Sequence, residues 1–578
     1  MKQIPAYLLL AFLIASALLY TVSATAQSLN VHSASAHQPP KAAIASAHPL
    51  ATQAGKEILK NGGNAFDAAV AITATLAVVE PYSSGLGGGG FWLIRDQKQE
   101  KIIIIDGREK APANAYKDMY LDQQGNYIPS SSVNGALSAG IPGTVAAMVH
   151  LSKKYGQLSL SEVLKPAIRY AQQGFPVTKH YQKMASFRLK VLQKYPASSD
   201  IFLHNNQIPE LGYLIIQSDL ANTLKAIALS ANDGFYTGNI ATKLVHSVAS
   251  DNGIWQLEDL KNYRVIERQP IQFRYKNMHI SSVPPPSSGG IALATILQIL
   301  QNFDLPALDN VTQTHLIVEA MRRAYRDRAE FLGDADFVVV PVERLMHPWY
   351  AKGLSESIRM DKAMPSDYLP GIQSKKTEGQ DTTHFSVLDT QGNLVSATMS
   401  INYPFGSGFT VQGTGVLLND EMDDFSARPG TPNVYGLVGA QANAIAPNKR
   451  PLSSMSPTIV ETDQGVILLG TPGGSRIITM VLLAILELDK NKGEMHWSPK
   501  QWISKARFHH QYLPDKIFYE PQAFSKEEIL QLEQMGHKTK ALGSVYGNMQ
   551  AITWHYENGV QAASDPRVEG FSSVFELP

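Results

Sequence analysis

The chain of 578 residues contains no cysteine. Disulfide bonds, thiolate nucleophiles and cysteine-ligated zinc are therefore excluded, and any nucleophile has to come from serine, threonine, lysine or a carboxylate. Net charge is also absent, because 50 lysines and arginines balance 50 aspartates and glutamates. A neutral chain does not favour nucleic acid or an anionic membrane surface as its main partner.

Long hydrophobic runs are missing except at the start of the chain. Lys2 precedes the apolar run Tyr7 to Tyr20, which is short for a helix that spans a bilayer. Ala24-Thr25-Ala26 then gives the small-x-small pattern that a signal peptidase recognises. We expect a signal peptide over residues 1–26, a mature chain from Gln27, and export to the periplasm or beyond it. An uncleaved membrane anchor is the alternative.

The remaining chain is typical of a large globular enzyme, with 44% hydrophobic and 17% charged residues. A prior of one domain per ~150 residues suggests three or four domains, but large layered α/β enzymes exceed that length as one unit. Asn64 can cap a buried helix, Ala65 to Val79, with Asp67 completing the cap. Ile102 to Ile105 is apolar on both faces, as in a central strand. A further helix is predicted around Thr314 to Phe331, and no internal repeat is evident.

A hairpin is predicted in the last third of the chain. Thr382 to Leu388 alternates like a half-buried strand, Asp389 to Asn393 has the residue types of a turn, and Leu394 to Asn402 forms the returning strand. With the turn centred near Gln391-Gly392, antiparallel pairing lays residues 400–402 beside Thr382.

This pairing brings Ser400 and Asn402 within reach of the adjacent hydroxyls of Thr382 and Thr383. A threonine hydroxyl needs a base, and the threonine's own α-amine, with a reference pKa of ~8, is an economical one. That mechanism requires a cut between Asp381 and Thr382. On spacing alone, the favoured interpretation is instead that two β-branched residues simply begin a strand.

Several motifs resemble one family. The segments that resemble the small subunit of γ-glutamyltransferases, the glutathione hydrolases, are "DTTHFSVLD", "TMSIN", "LLNDEMDDFS", "PNKRPLSSMSPTIV" and "GTPGGSRI". The segments that resemble the large subunit are "IASAHPLATQAGKEILKNGGNAFDAAVA", "VEPYSSGLGGGGF" and "DGREKAP". The resemblance covers nearly the whole chain after residue 26, with the motifs in the family's order.

The resemblance implies an N-terminal nucleophile hydrolase of the α+β class with a four-layer αββα sandwich. A proenzyme would cut itself into a large subunit, residues 27–381, and a small catalytic subunit, residues 382–578, which remain together as a heterodimer. Thr382 would attack the γ-glutamyl amide of glutathione or a similar donor and form an ester. Water, or the amine of an amino acid or dipeptide, would then take the acyl group. The resemblance calls for no metal or organic cofactor, no nucleic acid and no stable membrane insertion after signal removal.

The resemblance also assigns the groups that contact the acyl part of the substrate. Gly473 and Gly474 match the oxyanion-hole glycines, whose backbone N–H groups stabilise the developing charge. Arg108 matches the arginine that binds the α-carboxylate, and Ser453 and Ser454 would add hydroxyl donors. Outside this context, paired glycines or serines in a loop indicate ordinary turns.

Acceptors for the substrate's α-ammonium come from three residues. Glu421 and Asp424 match the family's ligands, and Asn402 would contribute its amide oxygen. Asp423, between them, is expected to be structural. As a bare acidic run this segment would instead indicate a solvated surface or a cation site.

Two features concern the nucleophile's surroundings. The family often has threonine where Ser400 stands in contact with the nucleophile; serine keeps the hydroxyl, so we expect retained function with slower processing. Ala427 to Gly439 resembles a lid loop with Tyr435 as its gating aromatic, which favours small γ-glutamyl donors over polymers. A plain surface loop is the alternative for that segment.

Three other functions are compatible with parts of the sequence. A cephalosporin or glutaryl acylase would share the fold but would not need acceptors for an α-ammonium. The glycine-rich stretch Gly85 to Gly90 could indicate a phosphate-binding module, but it lacks the lysine and the element order of such loops. A relative that no longer cuts itself could act as a binding protein, and cleavage at Thr382 would exclude it.

Overall fold

The computed structural model describes residues 37–369, 382–428, 430–490 and 498–578. The predicted signal peptide, the predicted mature start at Gln27 and Asp381 of the predicted cut lie outside the described residues. Within those ranges, we find no helix with both the length and the apolar character needed to cross a membrane.

The α-helices of the described residues range from single turns to one of 22 residues. They are Pro49–Lys60 (α1), Ala65–Val79 (α2), Pro129–Val133 (α3), Thr144–Tyr155 (α4), Leu160–Val163 (α5), Lys165–Gln173 (α6), Lys179–Lys194 (α7), Pro196–Phe202 (α8), Ser218–Ser230 (α9), Asp233–Tyr236 (α10), Gly238–Ser250 (α11), Leu257–Lys261 (α12), Gly289–Leu300 (α13), Asn310–Phe331 (α14), Val342–Leu345 (α15), Pro348–Glu356 (α16), Ile477–Lys490 (α17), Pro499–Ile503 (α18) and Lys526–Gln534 (α19).

The β-strands of the same residues are mostly short. They are Ala42–Ser46 (β1), Gly89–Asp96 (β2), Lys101–Gly107 (β3), Phe175–Pro176 (β4), Leu214–Ile215 (β5), Ile266–Arg268 (β6), Ile271–Tyr275 (β7), Met278–Ser282 (β8), Thr383–Leu388 (β9), Leu394–Ser400 (β10), Thr410–Val411 (β11), Val416–Leu417 (β12), Thr458–Thr462 (β13), Gly465–Gly470 (β14), Phe508–His509 (β15), Ile517–Tyr519 (β16), Thr539–Ala541 (β17), Gln550–His555 (β18), Gly559–Ser564 (β19) and Phe571–Phe575 (β20).

Two large antiparallel sheets organise these strands. The first has the order β20-β1-β9-β10-β2-β3-β6, so the predicted hairpin β9-β10 lies at its centre. The second has the order β19-β18-β14-β13-β8-β7. The first sheet therefore combines strands from both ends of the described chain, and the second combines strands from its middle and its C-terminal part.

Alternating side chains show how the sheets are layered. In β2, Trp92 and Ile94 pack with a cluster rich in α1, α2 and α4, whereas Phe91 and Leu93 pack with residues of the second sheet. Because successive side chains of a strand point to opposite faces, one face of this sheet meets helices and the other meets the second sheet.

The second sheet is layered in the same way: one of its faces meets helices and the other meets the first sheet. Ile467 and Leu469 of β14 pack with a cluster that includes α13, α14 and α17, and Val466 and Leu468 point toward the first sheet. Helix, sheet, sheet and helix therefore follow one another, which is the predicted αββα sandwich.

Local predictions match these elements closely. Asn64 and Asp67 form the predicted reciprocal cap of α2. Helix α14 begins four residues earlier than predicted, because the Asp309 side chain caps its first turn by accepting from two backbone N–H groups. The hairpin strands begin at Thr383 rather than Thr382 and end at Ser400, and Asn402 has a φ of 74° that ends the extended backbone.

The glycine-rich stretch before β2 has a packing role. A Cβ at Gly87 would lie 2.1 Å from the Leu417 carbonyl oxygen, and one at Gly88 would lie 2.2 Å from that of Ser400. The backbone here approaches neighbouring strands too closely for any side chain. This contact accounts for the stretch without a phosphate ligand.

Candidate active site

Thr382 lies at the end of the central hairpin, where two cavities meet. β9 pairs with β10 so that Thr383 is opposite Met399, which places Ser400 beside Thr382. Thr382 is buried and lines both a small cavity of about 20 Å³ and a larger one of about 420 Å³. The hairpin therefore places Thr382 at the boundary between the small cavity and the larger one.

The small cavity brings together almost all predicted site residues. They are Arg108, Thr382, Ser400, Asn402, Glu421, Asp424, Tyr435, Ser453, Ser454 and Gly474. Gly473 lines the larger cavity instead, next to Thr382. These residues come from segments separated by more than 300 positions, and the two sheets bring them together.

The two adjacent threonines have different surroundings. Because successive side chains of a strand alternate, those of Thr382 and Thr383 lie on opposite faces of the sheet. The Thr383 hydroxyl donates a hydrogen bond of 2.6 Å to Glu80, which closes α2. Burial raises the pKa of Glu80 to about 7, and the Thr383 hydrogen bond opposes that shift. Thr383 is thus tied to the helical layer, while Thr382 lines the cavities.

His384 is the histidine nearest to Thr382 in the sequence, and it is bonded elsewhere. Its Nδ1 lies 2.8 Å from the Thr398 hydroxyl, and a Cβ at Gly470 would lie 2.3 Å from its ring. Burial lowers the pKa of His384 to about 3. A neutral, enclosed imidazole of this kind packs between the sheets and has its ring nitrogens directed to neighbouring hydroxyls.

Arg108 is the centre of charge in the small cavity. It follows β3, is fully buried, and its Nη1 and Nη2 lie 2.5 Å from Glu421 Oε2 and Asp424 Oδ2. Its Nη1 also lies 3.3 Å from Glu109, and its Nε donates to the Pro451 carbonyl. One guanidinium therefore faces three carboxylates.

The clustering of carboxylates changes their protonation. Burial raises the pKa of Glu421 to about 7, and Arg108 opposes that shift. Burial, followed by the nearby Glu421 carboxylate, raises the pKa of Glu109 well above its usual value. Glu109 was not predicted as a site residue, although its position directly after Arg108 was a signal that could have found it.

Asn402 is held by three hydrogen bonds. Its backbone N–H donates to the Ser400 hydroxyl at 2.8 Å, and its side-chain Nδ2 donates to the Asp420 carbonyl at 3.0 Å. The Tyr435 hydroxyl donates to its carbonyl at 2.5 Å. With Nδ2 directed away, the amide oxygen is the atom that Asn402 can offer to a cation.

Gly473 and Gly474 form a turn with positive φ values and little room for a Cβ at either position. Their φ values are 141° and 52°, and they lead from β14 into α17. A Cβ at Gly474 would lie 2.5 Å from the Tyr435 ring, and one at Gly473 would lie 2.6 Å from Met480. Backbone N–H groups in such a turn can approach a reacting oxygen closely.

The predicted lid is anchored to the acidic segment. Apart from residue 429, the loop Ala427 to Gly439 is described, and Tyr435 within it is buried. Asn433 donates to Asp424 at 3.0 Å, and the Val434 N–H donates to Asp423 at 2.8 Å. The Tyr435 ring thereby covers Gly474 and one wall of the small cavity.

Asp423 and Asp424 therefore differ in their contacts. Asp423 also accepts from the Tyr127 and Ser132 hydroxyls, so its oxygens bond to residues outside the cavity lining. Asp424 instead bonds to Arg108 in the cavity.

One group among the described residues has the composition of a metal site. His315, Glu319 and His537 offer ligand atoms within 4.8 Å of one another. However, the two carboxylate oxygens of Glu319 accept from Arg322 and Arg323, and His315 Nδ1 is 2.8 Å from His537 Nε2. These atoms already satisfy one another, and none of the three histidine and glutamate residues lines the cavities at Thr382.

Comparison with known proteins identifies the family. A model of the family described as gamma-glutamyltranspeptidase matches residues 51–575. The chain belongs to the gamma-glutamyltranspeptidase family. It is 43% identical to the glutathione hydrolase proenzyme of Escherichia coli (strain K12) over 528 residues, which are 91% of this chain and 90% of that protein. The glutathione hydrolase proenzyme of Bacillus subtilis (strain 168) is 38% identical, over 89% of this chain and 88% of its own.

Solved structures agree with this gamma-glutamyltranspeptidase assignment. The Helicobacter pylori gamma-glutamyltranspeptidase is 41% identical, with a TM-score of 0.55 over 56% of this chain and 93% of that one. Cephalosporin acylase from Bacillus halodurans is 28% identical, with a TM-score of 0.80 over 93% of this chain and 96% of that one. The predicted family, fold class and enzyme class are confirmed: the chain is an N-terminal nucleophile hydrolase with hydrolase and acyltransferase chemistry.

Two contacts in this gamma-glutamyltranspeptidase site were missed by sequence reasoning. Glu80 bonds to Thr383 and lines the larger cavity, and Arg328 of α14 donates to the Ser454 hydroxyl at 3.2 Å. Glu80 lies within the quoted segment "VEPYSSGLGGGGF", to which no site role was assigned, and Arg328 lies outside all quoted segments. No local signal distinguishes them, because their partners lie more than 100 residues away in the sequence.

Proposed function

We propose that this chain is a self-cleaving γ-glutamyl hydrolase and transferase that acts on glutathione or similar γ-glutamyl amides. The observation that carries the proposal is the buried set of opposite charges beside Thr382. Arg108 pairs there with Glu421 and Asp424. An α-amino acid head group has one carboxylate and one ammonium, so it can exchange with these pairs without leaving a buried charge uncompensated.

The α-amino acid head group would orient the substrate in the small cavity. Its α-carboxylate would bind the Arg108 guanidinium and the Ser453 and Ser454 hydroxyls, and its ammonium would bind the acids and the Asn402 amide oxygen. The γ-carbonyl then lies at Thr382, at the other end of the small cavity. Holding both charges fixes the reacting carbon relative to the nucleophile.

Two half-reactions complete the chemistry. The Thr382 hydroxyl loses its proton to the α-amine of the same residue and attacks the γ-carbonyl, while the Gly473 and Gly474 N–H groups stabilise the oxyanion. The protonated amine returns the proton to the leaving nitrogen, and a γ-glutamyl ester remains. Water or an acceptor amine then attacks that ester, with the same groups in reverse order. The Ser400 hydroxyl, beside Thr382, assists in aligning the nucleophile.

The proposal includes a cut between Asp381 and Thr382, which frees the α-amine. The large subunit would comprise residues 27–381 and the small subunit residues 382–578, after removal of a signal peptide over residues 1–26. The antiparallel pairing of β9 with β1, which would belong to the large subunit, joins the two parts within one sheet and supports a lasting heterodimer. Export to the periplasm, or further, is part of the same proposal and is supported by the pattern of the first residues.

An acylase for glutaryl or cephalosporin side chains is the second candidate, and it is favoured by the similarity to the Bacillus halodurans structure. A glutaryl group lacks the α-ammonium. Glu421 and Asp424 would then have no ligand cation to replace the Arg108 contacts, and for this reason we prefer the γ-glutamyl substrate.

Intact mass spectrometry tests the proposal first. The chain without residues 1–26 is purified beside a Thr382→Ala variant. We expect two fragments that meet at Asp381/Thr382 in the parent and one uncut chain in the variant. Uncut chains in both samples would refute the free-amine mechanism and favour a binding protein. Hydrolysis of γ-glutamyl-p-nitroanilide against glutaryl-p-nitroanilide then separates the transferase from the acylase.

A further inference from the structure

Arg328 is a buried cation whose ion pairing differs from that of its neighbours. It lies in the last turns of α14 with 4% of its surface exposed. Arg322 and Arg323 on the same helix are equally buried and both pair with Glu319. In the part of the chain that the structure describes, no carboxylate forms an ion pair with Arg328; its guanidinium donates to two serine hydroxyls instead.

Those serines connect Arg328 to the predicted carboxylate-binding loop. Nη2 donates to the Ser454 hydroxyl at 3.2 Å, and Nε donates to the Ser288 hydroxyl at 3.0 Å. Ser288 in turn donates to the Ser453 carbonyl at 2.8 Å. Arg328 therefore holds Ser454 directly and Ser453 through one intermediate.

The hydrogen bond from Arg328 also determines which way the Ser454 hydroxyl can point. A guanidinium can only donate, so the Ser454 oxygen accepts from Arg328 and its own O–H has to point elsewhere. Ser454 lines the small cavity together with Arg108. The bond to Arg328 thus favours a rotamer in which the Ser454 hydroxyl donates toward a ligand in that cavity.

The charges around the small cavity also indicate that Arg328 matters for a negatively charged ligand. Arg108 alone faces the acidic side chains of Glu109, Glu421 and Asp424, so their negative charge already balances its positive charge within the protein. A second cation behind Ser454 offsets part of that negative charge. Burying this cation without an ion pair to a protein carboxylate is unfavourable by itself. A ligand carboxylate in the small cavity would supply the missing counter-charge.

We propose that Arg328 is a positioning residue for the substrate's α-carboxylate, which it serves by orienting the Ser454 hydroxyl and by adding positive charge behind it. The inference rests on the proposed function, because it assumes a γ-glutamyl head group in the small cavity. It assigns Arg328 a part in recognising the carboxylate and none in the chemistry at Thr382.

The test compares ligands with and without that carboxylate. Arg328→Met and Arg328→Lys are made beside Arg326→Met, a control on the same helix whose guanidinium pairs with Asp327 and lines neither cavity. KM and kcat are measured with γ-glutamyl-p-nitroanilide. Inhibition constants are measured for L-glutamate and for 4-aminobutyrate, which keeps the amine and lacks the α-carboxylate.

For Arg328→Met we expect KM and the glutamate inhibition constant to rise roughly tenfold, with kcat and 4-aminobutyrate inhibition changed less than about threefold. Arg328→Lys should recover part of the loss because it keeps the charge. Equal weakening of both inhibitors, or unchanged KM, would overturn the inference.

Self-cleavage, read by mass spectrometry in each variant, separates folding from recognition. A cut variant has folded, since the cut does not involve an α-carboxylate. If Arg328→Met stays uncut, Arg328→Lys gives the comparison, with the same two outcomes. A parent that neither cuts itself nor hydrolyses the γ-glutamyl substrate refutes the proposed function; a normal parent with unselective variants refutes the role of Arg328 alone.

Discussion

The two cavities that meet at Thr382 differ in how their charges are arranged. In the small cavity, Arg108 pairs with both Glu421 and Asp424; Arg108 and Glu421 are buried, and the Asp424 side chain is 12% exposed. In the larger cavity, Lys179 and Lys183 are exposed on the first turns of α7. Buried pairs enforce one geometry, whereas solvated charges tolerate many. The difference predicts strict recognition of the acyl group and loose recognition of the group attached to its nitrogen.

The largest effect is expected from removing Arg108, because strict recognition of the acyl group depends on its charge pairs. Arg108→Met removes the partner of the substrate's α-carboxylate and leaves Glu421 and Asp424 without their cation. Losing one partner of a buried charge pair costs about 3–5 kcal/mol of binding, or roughly 10²–10⁴-fold in kcat/KM. The measurement is hydrolysis of γ-glutamyl-p-nitroanilide by the cut enzyme. Arg359→Met, at an exposed pair with Asp361, is the control. A loss below tenfold would mean that the pairs do not bind the head group.

Gly474→Ala, which adds one methyl group, should have the next largest effect on activity. The new Cβ would meet the Tyr435 ring and the residue would keep a φ of 52°, so the turn would shift. Loss of one oxyanion donor lowers kcat by about 10²–10³-fold. Gly543→Ala, where nothing lies within 4 Å, is the matched control. Equal activity in the two variants would exclude Gly474 from the oxyanion hole.

Glu80 gives the larger cavity a pH-dependent element. Its pKa is raised from 4.5 to about 7 in the folded protein, so the folded state binds the proton more tightly. The stability linked to Glu80 is complete below pH 4.5 and is lost as pH rises toward 7, by about 3 kcal/mol. Thermal melts of Glu80→Gln between pH 4.5 and 8 should therefore fall less steeply than those of the parent. Parallel curves would contradict the burial of an ionisable Glu80.

The smallest effect is expected at the lysines. Lys179→Met combined with Lys183→Met should raise the KM of glycylglycine as acceptor by about 2–5-fold, because exposed charges contribute little. Glycylglycinamide, which lacks the carboxylate, serves as the control acceptor. A tenfold effect would show that the larger cavity is as selective as the small one, and the comparison would fail.

Local structure was predictable where neighbouring residues determine it. Asn64 and Asp67 satisfy the same helix end from three positions apart, and Asp389 accepts from the Gln391 and Asn393 N–H groups inside the turn that closes the hairpin. The position of that turn is also sufficient to predict Ser400 beside Thr382. In contrast, the spacing could not decide between a nucleophile and an ordinary strand start, because both place β-branched residues at the same position.

The sequence by itself determined the family, through motifs spread over the whole chain, and it determined the capped helices and the central hairpin. Only the tertiary structure decided which threonine faces which environment, that Glu80 lies behind Thr383, and that Arg328 supports Ser454. The physical reason is distance along the chain. Pairing of β9 with β1, and packing of one sheet against the other, join residues hundreds of positions apart, and such contacts leave no local pattern.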